Sequence, residues 1–178
     1  MYEYEIKFKI ENLKKFSEIC DNLKIKFSNE QVQVDNVWIL NDADGTNLIT
    51  GMPVVRTRIE NKIATITLKK EIKHGTFEEY ETNVSDITQA NEIIKNLGMR
   101  RLVEIKKKRR TAIFKNYNLC LDNVEKLGNF IEIEFLAKNF DENSKEKILE
   151  LAKQFFLSEN DIVVNTYNTL LCRKYNLK

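Results

Sequence analysis

Apolar and charged residues alternate from Tyr2 to Ile10: Tyr2, Tyr4, Ile6, Phe8 and Ile10 point one way, and Glu3, Glu5, Lys7 and Lys9 the other. A period of two is the mark of a strand with one buried face. The period then changes: Leu13, Phe16, Ile19, Cys20 and Leu23 recur at helical spacing behind Asn12, a suitable N-cap, so a helix of three to four turns follows. Extended segments resume at about 27–40, and residues 41–47 (NDADGTN) give the strongest loop signal in the chain. After Pro53, short alternating runs at about 54–60, 63–70 and 77–84 read as a meander of hairpins broken at 60–62 and at His74-Gly75. A second helix is expected at about 86–97, closed by Gly98. Strands follow at about 101–116, 118–125 and 130–136, then a helical stretch from Ser144 through Phe156 and a further helix from Thr166 to Tyr175.

Some eight strands with helices inserted at three places predict an α+β protein dominated by antiparallel sheet. Closing that sheet removes its exposed edges, so the expected architecture is an eight-stranded, mainly antiparallel closed β-barrel with flanking helices. At 178 residues, with no repeat, linker or low-complexity segment, one domain spanning 1–178 is expected.

Composition narrows the function classes. Hydrophobic residues make up 42% of the chain against 31% charged, and the net charge is +2, which excludes disorder and a generally nucleic-acid-coating surface. Cys20, Cys120 and Cys172 are odd in number, widely spaced and set among apolar residues, which suits reduced core thiols in a cytoplasmic protein. No apolar run approaches the roughly 18 residues of a membrane span, so no membrane association is expected. The acidic 41–47 loop lacks the downstream glutamate of a calcium loop. His74, the one histidine, sits in an expected hairpin turn and is read as an exposed turn residue, while Trp38 and Phe114 are read as core or lumen-edge residues.

The strands share one arrangement, with ionic side chains at i and i+2: Glu3/Glu5/Lys7, Arg56/Arg58, Glu79/Glu81 and Glu132/Glu134, joined by Lys69 and Asp122. The run 106–110 (KKKRR) supplies another, as either Lys107/Arg109 or Lys108/Arg110, and a one-residue slip reverses the face. Any single pair reads as a solvated strand face. Taken together they read differently, because helices covering the apolar faces from outside a barrel turn the charged faces inward. Seven acids and six bases then meet in one lumen. Buried charge costs several kcal/mol per ion unless hydrated, paired or met by a charged ligand. Interleaved acids and bases suit a polyanion with its metal ions: Arg forks and Lys ammoniums meet phosphate oxygens, and carboxylates hold Mg²⁺ or Mn²⁺.

Glu3-Tyr4-Glu5-Ile6-Lys7 resembles the ExExK signature of the CYTH, or triphosphate tunnel, superfamily. In the same order, Arg56-Thr57-Arg58 resembles its RxR strand, Thr67-Leu68-Lys69 its TLK strand and Glu79-Tyr80-Glu81 its ExE strand. The run 119–134 (LCLDNVEKLGNFIEIE) is similar to the family's most distinctive segment and closest to its class IV adenylyl cyclase branch. The resemblance covers nearly the whole chain, although Val37 stands where members often carry a tyrosine. It implies Glu3, Glu5, Glu132 and Glu134 as metal ligands and Glu79, Glu81 and Asp122 as further acidic positions. It also implies Lys7, Arg56, Arg58, Lys69, Lys107 and Arg109 as the triphosphate clamp, with Glu3, Glu5, Lys7 and Glu132 carrying catalysis. The implied activity is a Mg²⁺- or Mn²⁺-dependent conversion of ATP to cyclic AMP and pyrophosphate. The alternatives are an inorganic or thiamine triphosphatase and a non-catalytic polyphosphate- or nucleotide-binding barrel. The implied partner is ATP or another triphosphate, nucleic acid is disfavoured by the interleaved carboxylates, and a homodimer follows from cyclase-type relatives.

Overall fold

The computed structural model describes residues 2–73, 76–137 and 143–177, and the side chains of 2, 3, 73, 76, 136 and 137 are outside the description. His74 therefore lies outside the described residues. The chain is α+β, and its described residues form eight strands in antiparallel curled sheet and four α-helices. The strands are β1 (Tyr2–Ile10), β2 (Gln31–Leu40), β3 (Pro53–Glu60), β4 (Ile63–Lys73), β5 (Thr76–Val84), β6 (Met99–Phe114), β7 (Tyr117–Val124) and β8 (Gly128–Ala137). The helices are α1 (Leu13–Asn22), α2 (Ile87–Asn96), α3 (Ser144–Ala152) and α4 (Tyr167–Tyr175). Among the described residues no helix is long and apolar enough to cross a membrane. The fold divides into two compact units, Met1–Gln31 with Lys108–Val164, and Val32–Lys107 with Asn165–Lys178.

In the first unit β1 pairs with β8 and β8 with β7. The alternation in β1 does what its period requires: Tyr4, Ile6, Phe8 and Ile10 are buried, alongside Leu119 and Leu121 of β7 and Ile131 and Ile133 of β8. Helices α1 and α3 cover that apolar face with Phe16, Cys20, Ile148 and Leu151. Asn12 caps α1 by accepting from the Lys15 amide at 3.0 Å, satisfying one of the first-turn N–H groups. The third helical stretch is shorter than expected. After Ala152 it tightens into a 3₁₀ turn over Lys153–Phe155 and stops at Phe156, whose φ of 57° is left-handed. That turn puts Phe155 into the core, 5.8 Å from the ring of Phe16, while Phe156 faces outward.

In the second unit β2, β3, β4 and β5 pair in chain order as a meander. Helix α2, capped by Asp86 through the Thr88 and Gln89 amides, lays Ile94 against Trp38, Val55 and Met99. Trp38 belongs to this core. Its indole N–H donates to Thr57 Oγ1 at 3.2 Å, and Thr57 in turn donates to Asn91 Oδ1 on α2 at 2.8 Å, so a buried polar relay ties β2, β3 and the helix together. A second cluster joins Ile39, Ala43, Leu102 and Cys172, the last from α4. Gly45 is required where the 41–47 loop crosses it, because a Cβ there would lie 2.2 Å from Leu102 Cδ1. Asp44 of that loop forms an Asx turn, its Oδ1 accepting from the Thr46 amide at 2.8 Å.

The Phe8 side chain is fully buried and the Ile63 side chain is 57% exposed. Phe8→Ala is expected to cost about 3–5 kcal/mol in urea unfolding, and Ile63→Ala to stay within about 0.5 kcal/mol. Equal costs would contradict the assignment of these faces.

Candidate functional site

In the first unit the face of β1 opposite the core carries Glu5, Lys7 and Lys9. Register places Glu5 across from Glu134 and Lys7 across from Glu132 on β8. On the other side of β8, Glu132 faces Cys120 and Glu134 faces Asn118 of β7. Directly opposed residues share a sheet face, so the pairing alone gathers these side chains. Lys7 Nζ lies 3.2 Å from Glu132 and 3.5 Å from Glu5. Arg109 of β6 grips Asp122 with two bonds, Nε to Oδ1 at 2.6 Å and Nη2 to Oδ2 at 2.5 Å, and also bonds Glu132. Its Nη1 is 3.9 Å from Glu134. Carboxylate oxygens of Glu5, Glu132 and Glu134 lie within 4.8 Å of one another. Glu3 continues the same face across from Leu136, and its side chain lies outside the described residues.

The charge balance is uneven. Burial pushes the Glu134 carboxyl up; Arg109 and the Asn118 hydrogen bond oppose this, Glu5 and Glu132 add to it, and the net direction is upward. Arg109 goes the other way: burial alone would lower it, but Glu132 and Asp122 hold its guanidinium firmly charged. Three clustered carboxylates with an oxygen-only donor set fit a hard divalent cation such as Mg²⁺ or Mn²⁺.

In the second unit the equivalent face carries Asp35 on β2, Arg56 and Arg58 on β3, Thr67 and Lys69 on β4 and Glu79 and Glu81 on β5. Arg58 is held by Asp35 in a two-bond fork, 2.6 and 2.7 Å. Burial would raise the Asp35 carboxyl, but the Arg58 hydrogen bonds and charge, helped by Lys107 and Arg56, outweigh it and hold the pKa low. Arg56 Nη2 reaches Thr67 Oγ1 at 3.1 Å, Glu81 at 3.2 Å and Glu79 at 3.4 Å, and Lys69 pairs with Glu79 at 3.2 Å. Lys107 is buried, with its ammonium 5.2 Å from the centre of the Tyr167 ring.

The ambiguity in the basic run is resolved by burial. Lys107 and Arg109 share one face of β6; Lys108 points outward to pair with Glu30, and Arg110 lies over Phe27. Four participants escaped the sequence reading. Cys120, read as a core thiol among apolar neighbours, is buried but on the charged face, where its Sγ lies 3.4 Å from Glu134 Oε1. Its environment pushes the thiol pKa well up, burial first. The signal was present, since Cys120 and Asn118 share the parity of Asp122, and Asn118 donates to Glu134 at 2.6 Å. Asp35, which holds Arg58, is the one ionic residue of β2, so no i, i+2 pair marked it. Lys9 closes one end of the first face: its Nζ donates to Leu127 O at 2.5 Å and lies 4.2 Å from the Phe130 ring centre. That approach uses Gly128, with φ +96°, where a Cβ would come within 2.9 Å of the ammonium.

The family model described as the CYTH domain matches residues 1–167. A Methanocaldococcus jannaschii protein named as a candidate adenylate cyclase is 29% identical over 170 residues, covering 94% of this chain and 97% of that protein. The solved PH1012 protein of Pyrococcus horikoshii is 30% identical with a TM-score of 0.80, covering 94% of this chain and 98% of its own. A Hippeastrum protein described as a candidate adenylyl cyclase with a dominant triphosphatase activity shares the fold at 14% identity and a TM-score of 0.63, covering 98% of this chain and 95% of its own.

The Asp35–Arg58 pair gives a pH signature. A depressed carboxyl contributes stability that is present above the ordinary aspartate value of about 3.9 and is lost as pH falls through the lower folded value. Asp35→Ala is expected to cost about 3 kcal/mol in urea unfolding at pH 7, because it leaves Arg58 buried without its carboxylate. The gap to wild type should narrow below about pH 4. A gap independent of pH would show that packing, not charge, accounts for the loss.

Proposed function

The chain belongs to the CYTH-domain family, and from that premise we propose that it is a divalent-metal-dependent triphosphate-processing enzyme of the class IV adenylyl cyclase type, acting on ATP. Family members are typically cyclases or triphosphatases that depend on divalent metal. The observation that carries the reading is the Glu5, Glu132 and Glu134 cluster held against Lys7 and Arg109. The cyclase choice within the family is supported by the 119–134 run and by the name of the Methanocaldococcus relative. One closed eight-stranded barrel, a single domain over 1–178 and a homodimer are parts of the same proposal.

The residues have separable tasks. Glu5, Glu132 and Glu134, with Glu3 on the same strand face, would hold the cation. When bound, Mg²⁺ or Mn²⁺ supplies charge neutralisation at phosphate oxygens and a lowered pKa for the attacking hydroxyl. Lys7 and Arg109 keep the carboxylates oriented while unliganded, because each is shared between two or more of them. Arg56, Arg58, Lys69 and Lys107 would bind the triphosphate. Arg56 has the least costly exchange to make, since Glu81 is 46% exposed and returns to water when phosphate oxygens replace it. Arg58 is pre-oriented by the two-bond fork to Asp35. In the reaction the ribose 3′-oxygen bonds to the α-phosphorus as the α–β bridging bond breaks, the hydroxyl proton is released and pyrophosphate departs. Catalysis then consists of positioning and charge stabilisation.

A triphosphatase is the second reading, favoured by the activity described for the Hippeastrum neighbour. There the same clamp presents a terminal phosphate to water.

Incubation with Mg²⁺ or Mn²⁺ and ATP, inorganic triphosphate or thiamine triphosphate, followed by product identification, separates the two. Cyclic AMP with pyrophosphate is the expected result, and orthophosphate from the triphosphates would select the hydrolase. Glu132→Gln should lower metal-dependent turnover about 100-fold with an unchanged circular dichroism spectrum, and Arg56→Gln should act chiefly on KM. Full activity in both variants would sink the assigned site.

A further inference from the structure

Among the described residues, five buried side-chain atoms lack a hydrogen-bond partner, and three of them share one face of the second unit: Gln33 Oε1, Arg56 Nε and Thr65 Oγ1. The other two, Ser144 Oγ and Asn168 Nδ2, belong to α3 and α4. Buried polar atoms left unpaired are uncommon and costly, so three on one wall ask for a reason.

Register fixes where they stand. Gln33 is opposite Glu60, Arg58 lies between Asp35 and Thr65, and Arg56 lies between Val37 and Thr67. Successive same-face positions along a strand are about 6.8 Å apart, so the Gln33–Glu60 row lies one step beyond the Arg58 row and two beyond Arg56. At the opposite end the same face carries Ile39 and Val54, which pack with Leu102 and Cys172, beside the paired Lys69 and Glu79. Arg58, Arg56 and Lys69 thus occupy successive rows for the phosphates, and the Gln33 row lies just past the Arg58 end of that series.

The chemistry of the polar end is definite. Gln33 Nε2 donates to Glu60 Oε2 at 2.9 Å. A carboxylate only accepts, so this bond fixes the orientation of the amide and leaves Oε1 an acceptor facing away from Glu60. Gln33 is 3% exposed, which holds that acceptor away from bulk water. Thr65 adds a hydroxyl able to donate or accept. Gln33 thus offers an acceptor to a group that donates, with the Thr65 hydroxyl in the adjoining Arg58 row, and inorganic triphosphate has no such group.

We propose that Gln33, oriented by Glu60 and joined by Thr65, forms a subsite for the hydrogen-bond-donating organic end of the triphosphate substrate, an amino-bearing ring of the adenine kind. The inference rests on the triphosphate reading of this face and adds the determinant that separates a nucleotide from a bare polyphosphate. A site built to hydrogen-bond a donor rejects an analogue that lacks it, because its own buried acceptor is then left unpaired.

Equilibrium binding of three probes in EDTA, where no metal-dependent turnover occurs, tests it: ATP, purine riboside triphosphate (which lacks the amino group) and inorganic triphosphate. Wild type should bind ATP about tenfold more tightly than the purine analogue. Gln33→Leu should erase that preference and leave inorganic triphosphate within twofold of wild type, which also shows that the clamp is still folded. Thr65→Val, closer in shape, should weaken ATP and spare inorganic triphosphate. If Gln33→Leu weakens all three probes alike, or leaves the ATP preference intact, the subsite is wrong while the triphosphate reading stands. If wild type binds none of the probes either in EDTA or with Mg²⁺ present, the triphosphate reading falls and takes the subsite with it.

Discussion

Ionic side chains on the concealed face of a strand must be matched by partners on neighbouring strands, and this requirement organises the molecule. Arg109 shows its strength. One guanidinium bonds Asp122 and Glu132 and approaches Glu134, so a residue of β6 organises carboxylates from β7 and β8. In the second unit Arg58 is satisfied by Asp35, and Arg56 is divided among Thr67, Glu79 and Glu81. Such pairs add little net stability over an apolar core of the same shape, but removing one member leaves an isolated charge at high cost. The helices follow from the same constraint: with one sheet face largely committed to ions, most of the strands' hydrocarbon goes to the other, and α1, α2 and α3 are placed to cover it.

Most of this was legible in the sequence because both relevant periods are short and strict. The alternation of β1 sorted Ile6 and Phe8 from Glu5 and Lys7 without ambiguity, and the Asn12 cap marked the start of α1 to within a residue. Where periodicity carries no signal, the sequence was mute. Five consecutive cations at 106–110 have no apolar partner positions to set their parity, and only burial shows that Lys107 and Arg109 turn inward. The end of the third helix was misjudged because Leu151, Phe155 and Phe156 keep a helical spacing that the backbone abandons at the 3₁₀ turn.

Chemical habit, rather than missing information, misplaced Cys120. A thiol flanked by Leu119 and Leu121 invites assignment to the hydrophobic core, yet those leucines are by that very adjacency on the opposite face. Strand parity outranks local composition in such a segment. Asn118 and Lys9 teach the same lesson, since each extends an i, i+2 series whose central members were recognised. Tyr167 was beyond reach, because its meeting with Lys107 joins distant segments and nothing local predicts it.

Trp38, the only tryptophan of the chain, has its indole hydrogen-bonded to Thr57 within the core of the second unit. Its emission is thus a private optical channel for one half of the molecule, silent about the other. Tyrosine-rich and backbone signals, which come from both halves, form a broader channel. Coincidence of the two traces during denaturation would mark a single cooperative block, and their separation would time one half against the other. The position of one indole makes the cooperativity of the whole chain measurable without any label.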